Sequence, residues 1–531
     1  MEEQAGKDDE DPHEVSTSNQ IPMWIIVDHI TRQFVHEGAP VTTDLAEYLA
    51  CAEMLKNRPF EVSAANLQIY LDNNLPVREG FLANLKREQD AAQSILLDDI
   101  LTSVVSSTWD VDQLNKKVIT YIIRRSGMGD SADPDVLKDC AAAVSSVWPE
   151  GTLSKFAYLP MDRKKTELQD YLLLSSGVRL FNKEKQQGGF GIENIPVMLK
   201  TNLQKIQSDC EVELVRVKKE RVALTDLVSG ILQGLLPELI PNEDLLKDAL
   251  IFLHQYIANI DVLKNEVLES AIVGERALIS FHSRIRELQE NCRNERVIGA
   301  NVVFPLFVSL AKDWRVLQGE HERIRFLTNA FTETQKTLKE WEKLKESLRD
   351  GFEHFTTKTP EISADPISEE RLGTSTIKLL RRDSTAQYDR IPVALKGCCL
   401  VTIVEHSGFL ASGNKDIGIL QYGNYYLSFR TATGAYRFAQ DPEKYFREIN
   451  SCIRQRPVLE KLLGLSVTAD GTEELARRSR CGTDRGVQTK TESSSAGVHH
   501  LQYFAGLRGG PDAFNKTRFH QIDLSSDKQE F

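Results

Sequence analysis

A line of apolar side chains returns every seven residues in the middle of this chain. Leu203, Cys210, Val217 and Leu224 lie on it, with Ile206, Leu214 and Val228 widening the stripe. Ile324, Leu327, Phe331, Leu338, Trp341 and Leu348 fill the a and d positions of a second run, interrupted by Thr334 and Lys345. A helix with this period carries a seam that must be buried, so it needs a partner helix in this chain or another. Mixed charges cover the other faces, as they do on solvated helices.

The rest of the pattern is helical from Ile21 onward. "IPMWIIVDHITRQFV" sets Trp24, Val27, Ile30, Phe34 and Val35 on one face. "SILLDDILTSVVSS" and "LNKKVITYIIRRS" continue it to the break "GMGDSADPD", where Asp133-Pro134 reads as a cap and a first-turn proline. "NKEKQQGGFGIENIP" is a second break. With 531 residues the chain is too long for one core. The division expected is a disordered acidic tail over 1–20, an N-terminal helical domain over 21–195 and a long-helix region over 196–350. A Ser-, Thr- and Pro-rich linker over 351–390 follows, then a small α+β module over 391–465 and a disordered tail over 466–531.

In the module the period changes to two. "VALKGCCLVTIVEH" and "DIGILQY" read as strands, and "YYLSF" follows the hairpin signal Gly423-Asn424. Thr431 is placed to cap a helix through Gln440, and Asp441-Pro442 to cap another through Ile449. The fold class expected is mainly α: a multi-domain helical scaffold with long coiled-coil-like helices, then the α+β module.

Composition narrows the chemistry. A net charge of −12 argues against a general nucleic-acid binder, which needs a basic field. The eight cysteines are scattered with no C-x-x-C pair, as suits a reducing compartment. The first twenty residues lack a signal peptide's apolar core, and no apolar run is long enough to span a membrane. A cytosolic protein is expected.

Enzyme motifs fail on inspection. "GMGDSA" carries Gly127 and Gly129 of a variant dinucleotide fingerprint, but Pro134 starts the helix too late and no second β-α unit follows. "GGFG" at Gly188 to Gly191 lacks the lysine and hydroxyl of a phosphate loop and reads as a turn. His29 sits beside Asp28 in a helical segment, and His499-His500 lie in the tail. Two basic clusters remain. Arg163, Lys164 and Lys165 occupy a segment read as lying between helices, and Arg216, Lys218, Lys219 and Arg221 lie on one long helix. Each is either a solvated face or a contact for an acidic surface such as a tubulin lattice.

Phe429, Phe438, Asp441, Pro442, Glu443 and Tyr445 resemble the end of a YHS-type treble-clef module. The two cysteines of that pattern are replaced by Arg430 and Gly434, and Cys398 with Cys399 supplies too few ligands for zinc. The aromatic frame Tyr425, Tyr426, Phe429, Phe438 and Tyr445 is expected to hold the shape by packing. "SSGVRLFNKEKQQGGFGIENIP" (175–196), "IPVALKGCCLVTIVEHSGFLASGNKDIGILQYGNYYLSF" (391–429) and "AYRFAQDPEKY" (435–445) resemble the cilia- and flagella-associated protein 206 family, in the same order. The resemblance runs from about residue 21 to residue 465. It implies an axonemal protein that docks the second radial spoke and an associated inner-arm dynein on the doublet microtubule. Tubulin, radial spoke proteins and inner-arm dynein are the partners implied, with no nucleic acid, membrane, cofactor or catalytic residues. The implied location is the axonemal cytoskeleton of the cilium or flagellum, with the basal body as an alternative. The other reading is a metal- or nucleotide-dependent regulator of the cytosol built on Gly127, Gly129 and the 398–399 cysteine pair.

Overall fold

The computed structural model describes residues 58–148, 152–234, 243–294, 299–348, 365–372, 376–385, 387–456 and 458–465. The helical face expected from Trp24 to Val35, both tails and residues 351–364, 373–375 and 386 of the linker lie outside the described residues. Helices α1 (Pro59–Asn74), α2 (Arg78–Ala92), α3 (Ser94–Thr102), α4 (Thr108–Ser126), α5 (Pro134–Val147), α6 (Thr152–Ala157) and α7 (Met161–Glu184) come first. Long helices α8 (Ile195–Leu232), α9 (Glu243–Asn294) and α10 (Ala300–Lys336) follow, then α11 (Lys339–Ser347) and the short α12 (Glu369–Leu372). The described elements end with β1 (Ile377–Leu380), α13 (Leu400–Glu405), β2 (Ile419–Tyr422), β3 (Tyr425–Ser428), α14 (Ala432–Gln440), α15 (Pro442–Gln455) and α16 (Val458–Leu463). The fold is mainly α, as expected.

Two compact units arise, each from several chain segments. The bundle unit takes 70–223 and 256–346; the module unit takes the described parts of 1–69, 224–255 and 347–531. The sequence reading cut the chain into consecutive pieces, whereas α8 and α9 each give residues to both units.

In the bundle unit α4 opens with a capping box: the Ser107 hydroxyl accepts from the Asp110 N–H and the Asp110 carboxylate accepts from the Ser107 N–H. It closes on Gly127, whose φ of 63° is the left-handed cap that glycine tolerates. Asp133 caps α5 with Pro134 in its first turn, as the sequence signals. Val118, Ile122, Cys140, Phe156 and Leu172 form the core of α3 to α7. The Trp148 ring lies flat on Tyr171 at 3.9 Å. Helix α7 then packs tightly on α10 at Gly177, where an added Cβ would stand 2.2 Å from the Phe307 carbonyl oxygen.

The heptad stripes find their partners inside the chain. Cys210, Leu214, Val217, Ile324, Leu327, Phe331, Leu338 and Trp341 are buried. Lys264 pairs with Glu211 at 3.1 Å, and the Tyr256 hydroxyl donates to Glu213 at 2.8 Å, so α9 runs beside α8. The Ser280 hydroxyl donates to Asp313 at 2.7 Å while Arg323 pairs with Glu266, which sets α9 and α10 antiparallel. The second run is not one helix: α10 ends at Lys336 and α11 starts at Lys339. The Thr337 hydroxyl donates to the Thr334 carbonyl and the Thr334 hydroxyl to Ala330, and such back-bonding competes with the helical ladder. Leu338 and Trp341 stay buried across the break, and the Trp341 Nε1 donates to Glu220 at 2.7 Å.

The module unit carries an antiparallel sheet in the order β1-β2-β3. Ile377 faces Tyr422, Leu380 faces Ile419, and Tyr422 faces Tyr425 across the Gly423-Asn424 turn. Gly423 has a φ of 56°, which that tight turn requires. Two expectations are corrected here. The stretch read as linker supplies β1, whose Ile377, Leu379 and Leu380 are buried. "CCLVTIVEH" is not a strand: Leu400–Glu405 is helix α13, because Leu400, Val401 and Ile403 form a contiguous buried turn rather than an alternating face.

Candidate functional site

The corner where the YHS-type pattern carries its cysteines is occupied by packing and one ion pair. Phe429 follows β3 and is fully buried, and Thr431 caps α14 by accepting from the Gly434 N–H at 3.2 Å. Arg430, at the first position expected to carry a thiolate, reaches Asp226 of α8 at 3.1 Å. Around it Phe429 meets Phe438 at 5.2 Å, Phe438 meets Tyr445 at 6.0 Å and Tyr425 meets Phe446 at 5.4 Å. Tyr426 departs from the expected frame. It alternates to the other face of β3 and packs against Leu380, Tyr388 and Ile419. The Tyr445 hydroxyl donates to Glu405 at 2.8 Å, and burial beside that carboxylate pushes it up to about 12.

Cys398 and Cys399 are buried, and their backbones pair with Ser412 and Ala411. Among the described residues no three histidine, cysteine, aspartate or glutamate side chains stand close enough to hold a metal ion. Nor is any described helix long and apolar enough to cross a membrane.

The two glycine motifs form one clamp. Gly129 and Gly191, with φ of 97° and 74°, pack Cα against one another beside Val136. Beneath them the buried Arg179 guanidinium donates to the carbonyls of Met128 and Phe190, each at 2.9 Å, and to Asp139 at 2.8 Å. The space a dinucleotide phosphate would need is filled by chain, and the segment before Gly127 is helix α4, not a strand. The sequence did not flag Arg179, because nothing local marks which arginine will be buried.

The basic triplet is split by the fold. Arg163, Lys164 and Lys165 lie in the first turn of α7, not between helices. Successive helical residues point about 100° apart, so three in a row cannot face one way. Arg163 and Lys165 are exposed. Lys164 is 5% exposed and its Nζ donates to the Leu101 carbonyl at 2.8 Å. In the long-helix cluster Arg216 pairs with Glu213 and Lys218 stands 3.6 Å from Asp261, while Lys219 is exposed.

A buried ionic group in the module unit escaped the sequence altogether. Arg456 donates to Asp248 at 2.6 Å and stands 3.8 Å from Glu61, while Arg58 pairs with Glu61 at 3.2 Å. Burial pushes the Asp248 carboxyl up to about 6 against the pull of Arg456. Beside it Gln68 donates to Gln255 and to the Val458 carbonyl, each at 2.9 Å. These bonds join α1, α9, α15 and α16. They hold distant segments of the module unit together.

No solved structure matches the chain. The mouse protein named cilia- and flagella-associated protein 206 is 27% identical over 429 residues, covering 78% of this chain and 68% of the relative. The zebrafish protein of that name is 27% identical over 464 residues, covering 82% and 72%. Its Tetrahymena thermophila namesake is 24% identical over 451 residues, covering 76% and 68%. Residues 198–468 match the FAP206 family, described as a domain of unknown function, and the match takes in most of α8, all of α9 to α16, the Arg430 corner and the Arg456–Asp248 pair. The chain belongs to the FAP206 family.

Proposed function

We propose that this chain is a non-enzymatic structural adaptor of motile cilia and flagella. In this reading it docks the second radial spoke and an associated inner-arm dynein on the doublet microtubule and so supports ciliary motility. The observation that carries the reading is family membership: relatives named for cilia and flagella extend from vertebrates to Tetrahymena over most of this chain. The fold suits the role. Helices of 38, 52 and 37 residues give rigid reach, the longest about 78 Å at 1.5 Å per residue.

Attachment to an acidic lattice needs local positive charge on a chain of net −12. Arg163 and Lys165 supply it, with Lys164 serving the fold beneath them. The test is co-sedimentation of the full chain with purified doublets. Arg163→Glu with Lys165→Glu should lower pelleting at low salt, and 1 M salt, where the Debye length is about 3 Å, should lower it for the wild type. Loss of pelleting on Lys219→Glu, with the double variant unaffected, would move the contact to α8. Cryo-electron tomography of axonemes lacking the protein should show the second spoke missing; intact spokes would overturn the docking role.

A further inference from the structure

We propose that Ser384, in the exposed turn after β1, is a phosphorylation site for an arginine-directed serine kinase, restrained by the clasp of Arg382 between Asp389 and Asp416. The inference goes beyond the attachment reading and does not depend on it.

The turn reads Arg381-Arg382-Asp383-Ser384-Thr385, so two arginines stand at the third and second positions before a serine hydroxyl. Kinases that select by charge read such a pair with carboxylates of their own cleft, and guanidinium–carboxylate pairing makes that reading strong and directional. The chain holds three Arg-Arg pairs, and only this one has serine at the second position after it. Arg124-Arg125 leads to Gly127 there, and Arg477-Arg478 to Arg480.

The structure adds access. Arg381, Arg382, Asp383 and Ser384 are exposed, and β1 is the outer strand of its sheet. The Ser384 and Thr385 N–H groups donate to the Arg381 carbonyl at 3.3 and 3.1 Å, which curls the segment. Arg381 in turn donates to the Ile367 carbonyl at 3.1 Å. Opening the segment breaks these bonds without uncovering a buried side chain from 381 to 384.

The clasp stands in the way. Arg382 pairs with Asp389 at 2.7 Å and with Asp416 at 3.0 Å, and its guanidinium lies 5.9 Å from the Tyr388 ring. The three charged side chains are 58%, 74% and 70% exposed, so water screens the pairs and they add little to stability. They compete with a kinase for the same guanidinium all the same. Charges of both signs surround Ser384, so selection rests on the order of residues along the opened segment. In the transfer the Ser384 Oγ attacks the γ-phosphorus of ATP, and the Oγ–P bond forms as the bond to the ADP oxygen breaks. The hydroxyl proton passes to the kinase's catalytic aspartate and ADP leaves. The turn keeps a phosphate of about −1.5 to −2 charge.

The test incubates the full chain with ATP and the purified catalytic subunit of cAMP-dependent protein kinase, which reads an arginine pair, and locates phosphate by mass spectrometry. Ser384 should be modified, and a kinase that requires carboxylates after the serine should leave it unmodified. Arg381→Gln or Arg382→Gln should each lower kcat/KM at Ser384 by about tenfold or more, with the thermal melt unchanged. Asp389→Asn with Asp416→Asn frees Arg382 and should raise the rate by about fivefold. Absence of phosphate on Ser384 in the full chain would overturn the site, and modification of a free peptide of residues 377–390 in that case would show that the turn stays shut. Modification indifferent to both arginines would overturn the kinase class, and an unchanged rate in the double aspartate variant would overturn the clasp.

Discussion

The Arg456 guanidinium lies 2.6 Å from the Asp248 carboxylate, joining residues 208 positions apart in the chain. Both side chains are at most 5% exposed, and Glu61 and Arg58 complete the group. A buried pair of this kind adds little over an apolar pair, but losing one partner leaves a buried charge uncompensated. Arg456→Met should therefore lower the stability of the module unit by about 3–5 kcal/mol, read as a fall in the urea midpoint. Arg437→Met breaks the half-exposed pair with Glu405 and should cost under about 1 kcal/mol. Equal effects would mean that the Arg456 group is solvated.

Asp248 also gives the fold a pH signature. Its carboxyl is pushed up to about 6 in the native state, chiefly by burial, so the folded chain holds this proton more tightly than the unfolded chain. The stabilisation that comes with protonation is fully present below the ordinary carboxylate range and is lost as pH rises through about 6. Asp248→Asn should therefore flatten the stability change between pH 5 and 7 that the wild type shows. Urea midpoints of both proteins at the two pH values check it, and parallel changes would refute it.

Gly177 is predicted to be irreplaceable within α7. Its missing Cβ would sit 2.2 Å from the Phe307 carbonyl oxygen, and backbone cannot yield as a flexible side chain can. Gly177→Ala should cost about 1–3 kcal/mol in overpacking. Gly80→Ala in α2 is the contrast, because its Cβ would meet nothing closer than Pro76 at 4.0 Å. There the gain in helix propensity, about 0.8–1 kcal/mol, should show as a small rise in melting temperature.

Trp341→Asp should destabilise the bundle unit by several kcal/mol in order of magnitude, because the indole is fully buried and its Nε1 satisfies Glu220. Glu340→Ala removes only an exposed contact with Lys343 and should do little. Matching melts for the two variants would mean that α11 is not docked on α8.

The metal corner makes a further prediction. Arg430 and Gly434 stand where the YHS-type pattern carries its cysteines, Arg430 pairs with Asp226, and rings fill the frame around them. A strong chelator should leave the thermal melt of the full chain unchanged. A large drop would reveal a structural metal, since such sites carry much of the folding free energy of small domains.

Local signals were legible in the sequence because they depend on residues a few positions apart. The seven-residue stripes, the caps at Asp133, Thr431 and Asp441, and the Gly423 turn stand where the residues place them. Direction and partnership were not legible. Lys164 reads like its neighbours, yet α7 packs so that its ammonium turns inward to Leu101. Ile377 to Leu380 lie in a polar stretch, and only pairing with Ile419 to Tyr422 makes them a strand. Neither the choice of α9 as partner for the heptad seam nor the meeting of Arg456 with Asp248 leaves a local mark. Periodicity and capping are set by the backbone's own geometry. Which face is buried, and against what, is decided only when distant segments pack together and each buried polar group must find its partner.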